Sequence, residues 1–289
     1  NKFQPLMPGF ISGISCRCNS CELGLIPDSC GMHCLKVLED QIKWEDPDSI
    51  AAIIMDPVPG SNVGYPVPPD GYLQGLRNIC DKYGILLIFD EVQTGFGKSG
   101  KMFACEHWDV APDFMAVGKA FSGGYIPLGA VVTTPRIYSE FIKKPGCEFR
   151  SGSTFGGHNA ACAAALSNIE IIQKESLVEN AAVLGKYIKD RLNDMKERYF
   201  IIKDVRGIGL LLAVELEIPK EMKLEESRQA MGTWVRDYCY ERGMIIRNNG
   251  DILVIAPALI MTKEEADFML DMLEQCFIIL TKKAQEEDL

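Results

Sequence analysis

The chain has 289 residues, of which 47% are hydrophobic and 24% charged, a balance typical of one or two globular domains. It lacks both a long apolar run and the features of a signal peptide, which argues against a membrane span or secretion. The net charge of −10 argues against nucleic acid or an anionic membrane surface as a partner. We therefore expect a cytoplasmic protein.

The first half of the chain alternates buried strands with helices, which predicts an α/β domain whose sheet is covered by helices. Residues 85–91 are apolar on both faces, which predicts a parallel, central strand. After an irregular segment over residues 1–35, the predicted elements are a helix over Leu35–Ile42, a strand over 51–57, a helix over Tyr72–Tyr83, strands over 85–91, 112–120 and 128–134, and a helix over 158–173.

The remainder predicts a smaller α+β unit of three strands with helices. We place the domain boundary in the long helical region, with a large domain over residues 1–175 and a small one over 176–289. The predicted elements of this part are a helix over Leu177–Arg198, strands over 200–207, 209–217 and 252–257, and helices near Arg228–Arg242 and over Lys263–Leu280.

Two polar side chains follow predicted strands of the first domain. Asp90 stands at the carboxyl end of a strand, where ligands bind in open α/β sheets, although an acid there also often caps a turn. Lys119 follows the next strand and precedes a glycine-rich turn. Between Val117 and Phe121 its amine could be partly desolvated and act as a nucleophile, or it could simply extend into solvent.

These residues lie within longer motifs, which are IFDEVQTGFGKSG over 88–100, the Pro-Asp pair at 112–113, GKAFSGGYIPLGA over 118–130 and GSTFGGHNA over 152–160. With them the whole chain resembles the class III aminotransferases, or omega-aminotransferases, which are pyridoxal-phosphate (PLP) enzymes of fold type I. The resemblance implies a large domain with a mostly parallel sheet and a smaller C-terminal α+β domain. It also implies that the N-terminal part of the family fold precedes residue 1.

The resemblance assigns roles to four residues around the cofactor. Lys119 would hold PLP covalently and later move a proton between substrate and cofactor. Asp90 would pair with the pyridine nitrogen and keep it protonated, so that the ring can accept electron density. Val92 would pack against the ring, and Gln93 would hydrogen-bond the ring hydroxyl.

The cofactor phosphate is assigned by the resemblance to Ser153 and Thr154. In the family this threonine comes from the partner subunit, which implies a homodimer with shared active sites. Taken alone, both residues could equally be turn residues beside glycines. Asp56 and Lys98 stand where the family usually has glutamate and arginine, and we expect Asp56 to be structural and Lys98 to lie far from the chemistry.

Residues 245–262 bear on the substrate. Family members that use alpha-amino acids carry an arginine just before an Ala-Pro step to grip a carboxylate, but here Val254 and Ile255 occupy that place. Arg247 lies earlier, as in amine:pyruvate-type omega-aminotransferases, where a mobile arginine pairs with the carboxylate of pyruvate. This pattern predicts pyruvate over 2-oxoglutarate as the amino acceptor, although Arg247 could also be a solvated residue at a strand end.

Five cysteines crowd one short segment, and four such thiols could hold zinc or an iron–sulfur cluster. Their spacing is not that of a zinc ribbon, so we expect a thiol-bearing loop and no metal. The five are Cys16, Cys18, Cys21, Cys30 and Cys34, with His33 beside them.

The sequence thus predicts a PLP-dependent transaminase that moves an amino group from an amine or omega-amino acid to a 2-oxo acid. Related enzymes with the same cofactor residues include an aminomutase, a decarboxylase and phospho-lyases, and these stay open as alternatives. A non-catalytic fragment is the third possibility, because the family's N-terminal phosphate loop is not in this sequence.

Overall fold

A computed structural model of the chain describes residue 5, residues 7–217 and residues 230–286. The first sheet of this part has four strands in the order β1-β2-β3-β4. β1, β2 and β3 are parallel, and β4 is antiparallel to β3, which confirms the predicted mostly parallel sheet and the inner position of the 85–91 strand. The strands are β1 Ala52–Met55, β2 Leu86–Asp90, β3 Phe114–Val117 and β4 Ala130–Thr133.

Helices accompany this sheet as expected for an α/β domain. α2 has the predicted bounds because its apolar positions form one stripe and Gly84, with a φ of 69°, ends it in the left-handed conformation. The predicted irregular segment contains two short 3₁₀ helices, Cys18–Ser20 and Pro27–Ser29, while residues 1–4 and 6 lie outside the described part. The helices are α1 His33–Trp44, α2 Tyr72–Tyr83, α3 Pro135–Ile142 and α4 Asn159–Lys174.

The second sheet is antiparallel, with four strands in the order β5-β6-β8-β7. The predicted start of a helix near Arg228 lies outside the described residues. No helix in the described ranges is both long and apolar enough to cross a bilayer. The strands are β5 Ile202–Ile208, β6 Leu211–Leu216, β7 Arg247–Asn249 and β8 Ile252–Ile255, and the helices are α5 Leu177–Arg198, α6 Met231–Glu241 and α7 Lys263–Glu286.

The sequence prediction missed two elements. β7 has the polar sequence Arg-Asn-Asn without the alternation of a strand, and it forms only because it pairs with β8. The small sheet therefore has four strands in the described part, not three. α3 begins with Thr134, whose hydroxyl accepts a hydrogen bond from the Ile137 N–H at 3.4 Å, followed by proline at the first helical position. This start signal is visible in the sequence and was overlooked.

The two sheets share a hydrophobic core. Leu211 and Ala213 of β6 and Val254 of β8 are buried in the same cluster as Phe89 of β2. The proposed division between residues 175 and 176 stays a prediction, although the long helical region does break there, between α4 and α5.

Arg206 of β5 ties the small sheet to the loop after β1. Its guanidinium is buried and donates to the Gly64 carbonyl at 2.8 Å and to the Asp204 and Glu215 carboxylates at 2.9 and 2.6 Å. A Cβ on Gly64 would lie 2.7 Å from Arg206 Nη2, and φ at this position is +71°, so only glycine fits. The loop that follows β1 is thereby fixed against the second sheet.

Asp113, of the Pro-Asp motif, joins three elements of the first domain. Its carboxylate accepts from the Leu87 N–H at 2.9 Å, from Arg77 at 2.8 Å and from Arg136 at 3.1 Å. Burial alone would raise the pKa of Asp113, but these partners outweigh it and hold the pKa below its ordinary value. The motif residue is therefore an anchor of the sheet.

We expect Asp113→Asn to lower the free energy of unfolding by about 2 kcal/mol at pH 7, because charge-assisted hydrogen bonds are lost from a side chain that is mostly buried. A depressed carboxyl pKa stabilises the fold above the unfolded value of about 4 and loses its effect as pH falls through the folded pKa. The difference between wild type and variant in urea unfolding should therefore shrink below about pH 4. Asp70→Asn, at an exposed position, is the control, and an equal difference at pH 7 and pH 3 would contradict this account.

Candidate active site

The carboxyl ends of the parallel strands bring three charged residues together. Asp56 follows β1 and Asp90 ends β2, and their strands pair as neighbours. Asp90 pairs with Ala116 of β3, and Lys119 lies three residues beyond that point. Burial raises the pKa of Asp56, the Asp90 carboxylate adds to the rise, and the Gly60 N–H and Lys119 oppose it. The sequence prediction that Asp90 ends one strand and that Lys119 follows the next fits this arrangement.

Lys119 begins a 3₁₀ helix, Lys119–Ser122, with a φ of 43°. Its side chain is exposed, and its amine makes no hydrogen bond or ion pair within the described part of the chain. Of the two alternatives for Lys119, partial desolvation and extension into solvent, this chain shows the second, because Val117 is buried and Phe121 turns away to stack on Phe96 at 4.8 Å between ring centroids. The amine is free to react.

Asp90 has one oxygen engaged and one available. Its Oδ1 accepts from the Val92 N–H at 2.9 Å, and its Oδ2 has no hydrogen-bond donor among the described residues. The Val92 side chain lies beside the backbone that leads to Lys119, since a Cβ on Gly118 would be 3.5 Å from Val92 Cγ1. Asp90, Val92 and Lys119 thus all lie at the same carboxyl edge of the sheet.

Glu91, the acid next to Asp90, turns the other way and is fully buried. Its carboxylate accepts from the Ala104 N–H at 2.9 Å and the Cys105 N–H at 2.8 Å, and also from the Thr94 hydroxyl. It therefore fixes the segment that follows β2 and with it the backbone next to Asp90.

Gln93 is held by the loop after β1. Its Nε2 donates to the Tyr65 hydroxyl at 2.8 Å, and its Oε1 accepts from the Ser61 N–H at 3.3 Å. Tyr65 is fully buried with a φ of 51°, and burial raises the pKa of its hydroxyl. The predicted bond from Gln93 to a cofactor hydroxyl stays a prediction, and the amide keeps a second N–H and a second lone pair with which to form it.

Arg247 borders a cavity of about 860 Å³ that adjoins Gln93. Ser61, Tyr65 and Gln93 line one part of it, and the segment after β8 and the start of α7 contribute mostly apolar residues together with Thr262 and Glu265. The exposed guanidinium of Arg247 donates to Ser61 at 3.3 Å and to Asn62 at 2.9 Å, both neutral acceptors. Within the described residues it has no carboxylate partner. Neither Asp90 nor Lys119 lines this cavity.

Lys98 contacts a residue of the cavity wall, and its predicted distance from the chemistry stays a prediction. Its partly buried amine donates to the carbonyl of Pro257, a residue of the cavity wall, and burial lowers the pKa of the lysine. Lys98, which stands where the family usually has arginine, therefore lies at the contact between the two sheets.

Ser153 and Thr154 lie apart from these groups. Both are exposed in the turn before α4, and no hydrogen bond links either side chain to another described residue. The structure does not bring them to Asp90 or Lys119 of the same chain, and their phosphate-binding role stays a prediction.

The cysteine-rich segment folds as a loop of free thiols. Burial raises the pKa of Cys16 far above its ordinary value, and the neighbouring thiols Cys34 and Cys18 add to the rise. Such thiols stay protonated at neutral pH and are weak ligands and nucleophiles. Among the described residues no group of three or more potential ligands is arranged to hold a metal ion.

Sequence reasoning missed three residues that shape this region, which are Tyr65, Arg206 and Asn168 of α4. Each acts on a segment far away in the chain, as when the Asn168 amide donates to the Ala120 carbonyl at 2.7 Å. A polar residue on a strand or helix gives no sequence signal of such a partner.

Comparison with known proteins places the chain in a family. The sequence model of the class-III aminotransferases matches residues 2–277. The chain is 34% identical over 292 residues to the taurine–pyruvate aminotransferase of Bilophila wadsworthia, which covers 98% of this chain and 63% of that protein. It is 38% identical over 233 residues to the adenosylmethionine-8-amino-7-oxononanoate aminotransferase of Staphylococcus aureus, covering 80% of the chain and 51% of the relative. The chain thus spans less than two thirds of the length of these relatives.

A solved structure gives the same result. An amine transaminase from an uncultivated Pseudomonas species, in its PLP-bound form, matches with a TM-score of 0.85 and 36% identity over 91% of this chain and 60% of that one. The fold is therefore that of the PLP-dependent transaminases, as the sequence motifs predicted. The chain belongs to the class-III aminotransferase family.

Proposed function

We propose that the protein carrying this chain is a PLP-dependent transaminase that passes an amino group from an amine or omega-amino acid to pyruvate. The observation that supports this most is that Asp90, with one unengaged carboxylate oxygen, ends β2, while Lys119, with an unengaged amine, follows the neighbouring strand β3 at the same edge of the sheet. An amine and a carboxylate on adjacent strands are the two groups that this chemistry requires.

The donor set at this edge fits PLP. The Lys119 amine can bind the aldehyde carbon, the second Asp90 oxygen can accept the pyridine N–H, and the Val92 methyl groups offer an apolar contact for the ring. Gln93 presents an amide to the ring hydroxyl. Bound PLP supplies an electron sink for the substrate carbon that loses its proton.

Two residues of the chain would support this chemistry, one by moving a proton and one by holding the cofactor ring in its protonated form. With PLP bound, Lys119 would be the residue that moves the proton between the substrate carbon and the cofactor. Asp90 keeps its partner nitrogen protonated throughout. Across both half-reactions, the amine donor becomes a carbonyl compound and pyruvate becomes alanine.

We further propose a cytoplasmic homodimer in which Ser153 and Thr154 of one chain bind the cofactor phosphate at the site of the other. Their exposure and their distance from any partner in their own chain support this arrangement. The turn beside α4 also leaves Phe155 exposed, as a subunit contact requires.

The activity is tested by incubating the protein and PLP with pyruvate and a panel of donors, including taurine and simple aliphatic amines. Alanine should form in step with the carbonyl product. Loss of the donor's amine without any alanine, or release of carbon dioxide or phosphate from the donor, would instead indicate a lyase or decarboxylase of the same family.

Arg247 is proposed to bind the carboxylate of pyruvate, since its present partners are neutral. We expect Arg247→Ala to raise the KM for pyruvate by about 10- to 100-fold with a smaller change in kcat, as the loss of a charge-assisted pair implies. Arg236→Ala, at an exposed arginine of α6 that pairs with its neighbour Asp237, is the matched control. Comparable rates with pyruvate and 2-oxoglutarate in wild type would refute the proposed acceptor.

A further inference from the structure

The turn that carries Lys119 is strained. Lys119 has a φ of 43°, a left-handed conformation that residues with a side chain seldom adopt. Such a conformation is unfavourable and persists only when its surroundings hold it in place. The 3₁₀ helix that follows ends at Gly123 and Gly124, with φ of 63° and 81°, so the chain reverses within a few residues.

Asn168, in the middle of α4, forms hydrogen bonds to this turn. Its Nδ2 donates to the Ala120 carbonyl at 2.7 Å and to the Phe121 carbonyl at 3.3 Å. The oxygen of the same amide also lies close to the turn: a Cβ added to Gly123 would be only 2.8 Å from Asn168 Oδ1. One partly buried side chain from a different element thus fixes the two carbonyl groups that follow the reactive lysine.

Backbone hydrogen bonds also close the turn, from the Phe121 N–H to the Gly118 carbonyl at 3.0 Å and from the Gly123 N–H to the Ala120 carbonyl at 3.2 Å, and Asn168 adds the side-chain bonds from another helix. The Phe121 ring stacks on Phe96 and anchors the far end of the turn. The Lys119 side chain itself is exposed and makes no contact that could orient its own backbone. The two Asn168 bonds are therefore the hydrogen bonds by which α4 supports the turn around Lys119.

We propose that Asn168 is a positioning residue for the reaction, which holds the backbone of Lys119 in the left-handed conformation so that the amine faces the space beside Asp90. This inference rests on the proposed function of Lys119. Displacing a reacting group by about 1 Å can cost about 10²-fold in rate, so a fixed backbone has a direct kinetic effect.

The experiment compares Asn168→Ala, Asn168→Asp and the control Ser167→Ala. The aspartate keeps the shape of the side chain but replaces the donating amide with an acceptor, so it cannot bond the two carbonyls. Ser167 is the exposed neighbour on the same helix. Each protein is examined without cofactor by hydrogen exchange of the peptide over 118–126, and with PLP by borohydride trapping of the cofactor on Lys119 over time.

We expect amide exchange over 118–126 to become about 10-fold faster in both Asn168 variants, because the turn opens locally. The trapping rate and kcat should each fall about 10-fold with little change in the KM for the acceptor. Ser167→Ala should match wild type. If the alanine variant does not fold, the aspartate variant alone decides.

Two outcomes overturn the inference and are distinguishable. Exchange and trapping within twofold of wild type in a folded Asn168 variant show that the amide has no positioning role, while the proposed function stands. A wild-type protein that attaches PLP at a lysine other than Lys119, or at none, overturns the proposed function and this inference with it.

Discussion

Replacing Lys119 with alanine is expected to lower kcat by about 10³-fold, because general acid–base catalysis alone contributes about 10²–10⁴-fold. It should also abolish the visible absorbance of lysine-bound PLP. The structure gives the reason, since Lys119 offers an unengaged amine at the edge of the sheet where Asp90 lies. A steady-state assay of alanine formation and an absorbance spectrum measure the two effects.

The control is Lys101→Ala, at an exposed lysine outside this edge, which should leave both readouts unchanged. Addition of a small primary amine should restore part of the rate of Lys119→Ala, because a free amine can carry the missing proton. Activity within about tenfold of wild type without added amine would show that another group moves the proton.

The second large effect is expected at Glu91, where Glu91→Gln should lower the free energy of unfolding by about 3 kcal/mol or more. The carboxylate is fully buried and accepts two backbone N–H groups and the Thr94 hydroxyl. Glutamine has an NH2 group in place of one of the two accepting oxygens. That group cannot accept a hydrogen bond, so at least one buried donor stays unsatisfied. Urea unfolding followed by circular dichroism measures the change.

Glu106→Gln is a matched control from the same segment. Glu106 also accepts a backbone hydrogen bond, from the Phe103 N–H at 3.0 Å, but its side chain is exposed. Its replacement should change stability by less than about 0.5 kcal/mol. If the two variants lose equal stability, burial is not what makes Glu91 important.

Much of the fold could be predicted from local patterns. α2 and α5 have their predicted bounds because each carries an apolar stripe, which Gly84 ends in α2, and β2 was identified as a parallel inner strand from apolar residues on both faces. β7 could not be predicted, because its polar residues form a strand only through pairing with β8. The domain boundary stays a prediction, since residues of β6 and β8 are buried in the core of the first sheet.

Part of the candidate site could likewise be predicted from the sequence, and part could not. Asp90 and Lys119 could be identified because motif and strand end coincide for both. The exposure of the Lys119 side chain could not be predicted, because it depends on the stacking of the Phe121 ring on Phe96. Asn168 and Arg206 were missed because their partners lie 48 and 142 residues away, and only the fold brings them together.

The central claim is that Lys119 holds the cofactor of a transaminase. The most direct test is to add PLP to the protein, reduce with borohydride, digest, and locate the pyridoxyl group by mass spectrometry. We predict modification of Lys119 alone, which is lost when an amine donor is added before reduction. Modification of another lysine such as Lys98, or of none while alanine still forms from pyruvate, would contradict the account.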